Sequence, residues 1–220
     1  MKYVLVSDFD NTLYVRNQEV LNKNKEAIKR FRNEGNIIVI ATGRSRNTIL
    51  ELLTNNDISY DYLICNNGAE TYDNNLNLIN RNPMDGEIVK NIKEIAKKNN
   101  NYLLEAKSDD DKYTNCIFIK RENNLDEILN YVKDITYNYF SANWLNIVDK
   151  KTSKVMAVKA LEEKLFSKDK IFTIGDAIND KEMIEYYNGA KMAIHEEILD
   201  DINCPIYQHF YEYIENILNN

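Results

Sequence analysis

The stretch Val4-Leu5-Val6-Ser7-Asp8-Phe9-Asp10-Asn11-Thr12-Leu13 constrains the fold more than any other part of the chain. An apolar run ending in two carboxylates two residues apart predicts a buried strand that delivers acid groups at its carboxyl end, where open α/β sheets place their ligands. Strand side chains repeat every two residues, so if the backbone stays extended through Phe9, Asp8 and Asp10 point to the same side. Carboxylates that close repel each other unless a cation lies between them, and the pair implies a bound divalent metal or a shared proton. Thr12 adds a hydroxyl. Asp and Asn are also ordinary turn residues, so the functional reading depends on residues further along the chain.

Downstream, the pattern alternates between strand and helix. Tyr14 to Gln18 is expected as a polar loop. The helical spacing of Ala27, Ile28 and Phe31 predicts a helix from about Asn24 to Glu34, with Gly35 as its stop. Ile37 to Ala41 is a second strand, and a strand, helix, strand series of this length implies a parallel sheet with right-handed crossovers. That strand ends in Thr42-Gly43-Arg44-Ser45, ahead of a helix through about Leu53. A hydroxyl and free N–H groups at such a place can meet a phosphate, although Ser45 alone is an ordinary N-cap. Tyr62 to Cys65 is a third strand, and Asn66-Asn67-Gly68 after it is a strong hairpin signal.

From about Asn82 to Val148 the organisation changes. A helix carrying Ile88, Ile92, Ile95 and Ala96 precedes strands at Tyr102 to Ala106 and Cys116 to Ile119. A helix around Leu125, Ile128, Leu129 and Val132 precedes strands near Tyr139 and at Leu145 to Val148. This αββαββ order with hairpin-sized gaps predicts an inserted antiparallel α+β layer. The acidic run Asp109-Asp110-Asp111 is expected as a solvated loop tip. The parallel pattern then resumes with a helix from about Val155 to Phe166 and a strand at Ile171 to Ile174. That strand ends in Gly175-Asp176-Ala177-Ile178-Asn179-Asp180, which brings more carboxylates to a strand end. Short strands at Ala190 to Ile194 and Pro205 to Tyr207 and a helix from about His209 to Leu218 follow.

Composition removes several function classes. A formal charge of −7 argues against nucleic acid, whose binding requires clustered Lys and Arg. Cys65, Cys116 and Cys204 are odd in number and set among apolar residues, which fits buried thiols and a cytoplasmic setting. No apolar stretch approaches the ~20 residues of a membrane span. His195 and His209 lack ligand spacing and read as ordinary histidines.

Asp-Phe-Asp-Asn-Thr-Leu, Thr42-Gly43-Arg44, Asn67-Gly68-Ala69 and Gly-Asp-x-x-Asn-Asp at residues 175–180 together resemble the haloacid dehalogenase (HAD) superfamily. The Asn-Gly-Ala stretch is similar to its Cof-type branch, subfamily IIB. The resemblance implies a Rossmann-like parallel-sheet α/β core over 1–81 and 149–220, carrying a small inserted C2-type α+β cap over 82–148. It implies Asp8 as nucleophile and Asp10 as acid and base. Asp8, Asp10 through its backbone carbonyl, Asp176 and Asp180 are implied in and around a Mg²⁺ site. Thr42, Gly43, Arg44, Asn67, Gly68 and Asn179 are implied around the phosphate and the metal's surroundings. Among Lys150, Lys151 and Lys154, the pattern Ser153-Lys154 with Ala157, Val158 and Leu161 selects Lys154 as the catalytic cation, although Val155 stands where the family often has Gly.

These parts describe a phosphatase acting on small phosphorylated metabolites, sugar phosphates first, with a phosphoglycolate phosphatase or a phosphomutase as alternatives. A signalling receiver domain needs about half this length and no cap. A non-catalytic relative should have lost a motif residue, and none is lost.

Overall fold

The computed structural model describes residues 2–108, 111–166 and 170–219. The centre of the fold is β1 (Tyr3–Ser7), which pairs in parallel with β2 (Ile37–Ala41) on one side and β10 (Lys170–Gly175) on the other. β3 (Tyr62–Cys65) extends the sheet beyond β2, while β11 (Ala190–Met192) and β12 (Ile206–Tyr207) extend it beyond β10. Strand order therefore reverses at β1, which makes the carboxyl ends of β1, β2 and β10 the topological switch point where such sheets bind ligands.

Alternation along the strands divides two hydrophobic cores between the faces of this sheet. Leu5, Ile38, Ile40 and Leu63 pack on one face with α1 (Gln18–Asn33), α2 (Arg46–Asn55) and α7 (Phe210–Leu218). Val4, Val6, Val39, Ala41 and Ile64 pack on the other with α5 (Lys154–Leu161) and α6 (Lys181–Tyr187). Covering both faces is what allows these strands to be apolar throughout.

Two features depart from the sequence expectation. α1 starts at Gln18 rather than near Asn24, because the Asn17 side chain accepts the N–H groups of Glu19 and Val20 at 3.0 and 3.2 Å. Its first turns contribute few buried apolar residues, which left the periodicity faint. Beyond β3 the sheet continues with β4 (Glu70–Asp73), antiparallel as the hairpin signal at Asn66-Asn67-Gly68 predicts, and then gains a further antiparallel strand, β5 (Leu78–Arg81), that was not expected. β5 lies at the sheet edge with none of its residues fully buried, so it lacks the continuous apolar run of the central strands.

The inserted layer has the expected order. α3 (Gly86–Lys98), β6 (Leu103–Lys107), β7 (Thr114–Lys120), α4 (Asp126–Val132), β8 (Thr136–Ser141) and β9 (Trp144–Asp149) form an antiparallel sheet β6-β7-β9-β8 backed by both helices. Its core combines Val89, Ile92, Ile117, Ile119, Ile128, Val132, Leu145 and Ile147. Of the acidic run, Asp111 lies in a turn closed by its N–H on the Ser108 carbonyl at 2.9 Å, and Asp109 and Asp110 lie outside the described residues. Among the described residues, no helix is long and apolar enough to cross a membrane.

A polar side chain of α1 ties the loop after β1 to the helices on this face of the sheet. Asn24 is fully buried in α1, donates from Nδ2 to the Leu13 carbonyl at 2.8 Å, and accepts the Tyr211 N–H of α7 at 3.1 Å. Asn24→Ala should cost about 2–4 kcal/mol, since two buried partners lose their hydrogen bond. Asn17→Ala, an exposed cap, should cost about 1 kcal/mol. Urea denaturation should rank the two in that order, and equal losses would mean that Asn24 does not anchor the loop.

Candidate active site

The chain turns sharply after Asp8. The Asp8 N–H still reaches the Ile174 carbonyl of β10 at 3.0 Å, and then Asn11 takes φ 57° and the Tyr14 N–H closes on the Phe9 carbonyl at 2.7 Å. Asn tolerates this left-handed backbone better than most residues. Phe9 and Leu13 are fully buried and Phe9 stacks on Tyr14, which anchors the loop from below while Asp8, Asp10 and Asn11 line a cavity above it. Asp8 and Asp10 thus open on the same cavity, although the strand itself ends at Ser7.

Lys154, the first residue of α5, is 1% exposed, and its Nζ lies 2.5 Å from Asp8 Oδ1 and 2.7 Å from Asp180 Oδ1. The other Asp180 oxygen accepts the N–H groups of Asp176 and Ala177, both at 3.1 Å. This return of Asp180 over the strand end requires Gly175, where a Cβ would sit 2.3 Å from the Asp180 carboxyl carbon. Asp176 accepts the Thr12 hydroxyl at 3.0 Å. Lys150 and Lys151 are exposed; Lys150 donates to the Asp134 carbonyl, away from the cluster.

One oxygen each from Asp8, Asp176 and Asp180 lie within 4.8 Å of one another. Burial first, and then the neighbouring Asp180 and Asp176, outweigh Lys154 and raise the Asp8 carboxyl well above its ordinary range. Burial and Asp180 likewise raise Asp176 to about 6. Burial disfavours the Lys154 charge, yet Asp180 and Asp8 more than compensate and its pKa is raised. Three carboxylates against one ammonium leave two uncompensated negative charges, so the cluster fits one divalent cation bound through oxygen.

Asp10 stands apart from that cluster. Both of its oxygens accept from Arg44, from Nε and Nη2 at 2.8 Å each, in a half-exposed bidentate pair. Its side chain is therefore not gathered with the other carboxylates of the expected metal set. Thr42 is buried, and its Oγ1 accepts the Arg44 N–H at 3.1 Å. Gly43, Arg44, Asn67 and Asn179 line the cavity. Asn67, at φ 58°, donates its N–H to the Thr42 carbonyl and accepts the Asn179 amide at 2.9 Å, and its Nδ2 is buried with no partner among the described residues. Gly68 lies outside the lining. Its φ of 105° and a Cβ position only 2.3 Å from the Ser153 carbonyl make it the point where this turn packs on the start of α5.

Sequence reasoning did not single out the cavity's upper wall, formed by Phe118, Tyr139, Ser141 and Asn146 of the inserted sheet. It also passed over Glu196, which accepts the Ile178 N–H at 2.8 Å and donates its own N–H to the Asp176 carbonyl at 2.7 Å. His195 reaches the lining, but its ring nitrogens face the Met192 carbonyl and Asp200, as an ordinary satisfied histidine does. The cavity is about 850 Å³, within the usual range for small-molecule sites.

The sequence and its fold have known counterparts. The family model of haloacid dehalogenase-like hydrolases matches residues 5–110 and 97–197. The 5-amino-6-(5-phospho-D-ribitylamino)uracil phosphatase YcsE of Bacillus subtilis is 25% identical over 199 residues, covering 83% of this chain and 80% of its own. A haloacid dehalogenase-like hydrolase from Bacteroides thetaiotaomicron superposes with a TM-score of 0.80 at 18% identity, covering 99% of this chain and 100% of its own. A HAD subclass IIB sugar phosphatase does so with a TM-score of 0.81 at 17% identity, covering 98% and 99%. At these identities the structural matches establish the fold alone, whereas the family model spans most of the sequence and the carboxylate cluster that it contains. The chain belongs to the haloacid dehalogenase-like hydrolases and is a phosphoric monoester hydrolase on the Cof-type, subfamily IIB fold.

Proposed function

We propose that the protein hydrolyses monophosphate esters of small sugars or polyols through a phospho-Asp8 intermediate, with Mg²⁺ as its ion. The observation that carries this reading is the contact of buried Lys154 with Asp8 beside Asp176 and Asp180, all at the carboxyl ends of β1 and β10. The YcsE relative is named for a phosphorylated ribityl compound, which supports a polyol phosphate.

In the first half-reaction an Asp8 oxygen attacks phosphorus, the bond from phosphorus to the ester oxygen breaks, and Asp10 gives a proton to the departing alkoxide. In the second, Asp10 takes a proton from water, the hydroxide attacks phosphorus, and the bond to Asp8 breaks to release inorganic phosphate. Lys154 donates to Asp8 and faces charge on the transferring group, as preorganised cations do. The Thr42 hydroxyl, the Gly43 N–H and the unpartnered Asn67 Nδ2 are assigned to the remaining phosphoryl oxygens. Asp8 and Asp176 would hold Mg²⁺ together with the Asp10 carbonyl, while Asp180 sets Lys154 and the turn after β10; when bound, the ion neutralises charge on the phosphoryl group. Arg44 keeps Asp10 in place between turnovers.

Asp8→Asn should abolish phosphate release from 4-nitrophenyl phosphate with the fold intact by circular dichroism. Asp10→Asn should lose turnover but retain phosphate on Asp8, seen by mass spectrometry of acid-quenched protein. Normal turnover by either variant would overturn its assigned role, and transfer of the phosphoryl group to an added sugar in preference to water would favour a phosphomutase.

Lys154→Ala should lower kcat on the order of 10²-fold or more, the scale of one deleted preorganised contact. Alanine at Lys150 or Lys151 should leave it within about twofold, since neither reaches the cluster. Equal effects at the three positions would remove Lys154 from the site.

Metal-free protein should show the cost of the crowded carboxylates. The folded state holds protons that the unfolded chain releases at its ordinary Asp pKa of 3.8, while Asp176 keeps its own to about 6. This contribution to stability is full below that lower value and is lost as pH rises through about 6. Mg²⁺ takes the place of the protons, so it should raise Tm clearly at about pH 7.5 and little at about pH 4.5. Thermal melts with Mg²⁺ and with chelator at both pH values test this, and an equal shift at the two would contradict it.

A further inference from the structure

The three clustered carboxylates repel one another before any cation arrives, so the fold must hold them within reach of each other. Lys154 and two backbone N–H groups do this for Asp180, and the end of β1 does it for Asp8, whose N–H is still on the ladder to β10. The Asp176 carboxylate takes the Thr12 hydroxyl at 3.0 Å and the Asn11 amide at 3.5 Å, both neutral donors. Its position therefore depends on the backbone of the turn that carries it.

That turn is not capped from within. Ala177 precedes the short 3-10 turn Ile178–Asp180 and has no side-chain oxygen to accept an N–H. Asp180 takes the N–H groups of Asp176 and Ala177, which leaves those of Ile178 and the Asp176 carbonyl to be met from elsewhere. Glu196, in the loop after β11, meets both: its Oε2 accepts the Ile178 N–H at 2.8 Å, and its own N–H donates to the Asp176 carbonyl at 2.7 Å. One residue thus grips the turn on either side of Ala177. Both contacts are with backbone, so they set the shape of the turn.

The loop that carries Glu196 is itself braced. Lys191 is 4% exposed, and its Nζ donates to the Leu199 and Ile202 carbonyls at 2.7 and 3.1 Å. The phosphoryl chemistry gives this buried lysine no other part. The Ala193 N–H reaches the Tyr207 carbonyl at 2.8 Å, and the Leu199 N–H returns to the Glu196 carbonyl at 2.9 Å. A side chain offered from so fixed a loop loses little freedom in holding the turn.

We infer that Glu196 is a positioning residue for the divalent cation: its two bonds to the turn after β10 hold Asp176 at ligand distance from Asp8 against their mutual repulsion, so that the site is formed before the ion arrives. This rests on the reading under Proposed function that Asp8 and Asp176 hold Mg²⁺. Glu196 acts through hydrogen-bond geometry, and a side chain of the same length with a neutral acceptor should replace it.

Titration calorimetry with Mg²⁺ alone, near neutral pH, compares the wild-type protein with Glu196→Ala and Glu196→Gln. The alanine variant should bind Mg²⁺ about tenfold more weakly or worse, the scale on which partners that orient a metal's ligands act. The glutamine variant keeps an oxygen for the Ile178 N–H and should stay within about threefold of wild type. The rise in Tm at one fixed Mg²⁺ concentration should shrink for alanine and be retained for glutamine, because that rise follows the affinity. A merely structural role would lower Tm in chelator and leave the affinity for Mg²⁺ unchanged. Wild-type affinity in Glu196→Ala, an equal loss in Glu196→Gln, or no measurable binding of Mg²⁺ by the wild-type protein would overturn the inference. None of these measurements uses a substrate, so failure of the phosphatase reading would appear separately, as wild-type protein that binds Mg²⁺ yet releases no phosphate from 4-nitrophenyl phosphate.

Discussion

A buried ammonium between two carboxylates holds the catalytic end of this protein together. Lys154 and Asp8 are 146 residues apart, and their contact at 2.5 Å requires β1, the start of α5 and the loop after β10 to converge. Breaking such a pair leaves an uncompensated charge in low dielectric, which costs about 3–5 kcal/mol, so the fold cannot readily exchange this arrangement for another. Asp180 is the residue that makes it possible. One of its oxygens neutralises Lys154, and the other takes two backbone N–H groups that the turn after β10 would otherwise leave unpaired. Gly175 is required because that carboxylate occupies the space of a Cβ. The lysine is thereby locked in its charged form, and the same burial raises the Asp8 and Asp176 carboxyls and prepares them for a cation.

The sheet explains why such distant residues meet. Parallel order from β1 to β3 carries the chain one way, and β10 returns it to the other side of β1, so three strand ends open on one point. β4 carries the chain away from those strand ends and β5 brings it back in the direction of β3, so the insertion leaves the core at the end where the site lies. The Asn82 N–H still bonds the Ala69 carbonyl, and the Thr152 hydroxyl reaches the Asn82 carbonyl at 3.3 Å, which ties the outgoing and returning chains to each other.

What was legible in the sequence followed from local periodicity. Strands buried on both faces gave continuous apolar runs, and the acids that follow β1 and β10 stood out because polar residues there break those runs. β5 gave no such signal because it is an edge strand, and the start of α1 gave little because its first turns bury one apolar side chain, Leu21, and the polar Asn24. The upper wall of the cavity was hidden for a different reason. Alternation shows that Phe118 and Asn146 face away from Ile117 and Leu145, but a period of two does not say which sheet face meets the active site. Nor does it fix the register that sets Phe118, Asn146 and Tyr139 in one row, since register is decided by pairing between strands. Arg44 was legible as a residue of the phosphate loop. Its two-point grip on Asp10 was not, because it joins residues 34 apart from different strand ends.

Asparagine takes a part in this chain that glycine often plays elsewhere. Asn11, Asn66 and Asn67 all adopt positive φ, and all three lie in turns that follow β1 and β3 beside the cavity. With only six glycines in 220 residues, the left-handed turns fall largely to a residue that tolerates them and also brings an amide. That amide is put to use. Asn11 Nδ2 lies 3.5 Å from Asp176, and Asn67 accepts from Asn179 while its own Nδ2 is left buried and unpartnered at the cavity wall. A glycine at position 67 would make the same turn with less strain but would leave the cavity without that donor, and Asn179 without an acceptor. The chain bends at these points with side chains that also serve the site, so the strain of a left-handed asparagine is retained where a hydrogen bond to a ligand can offset it.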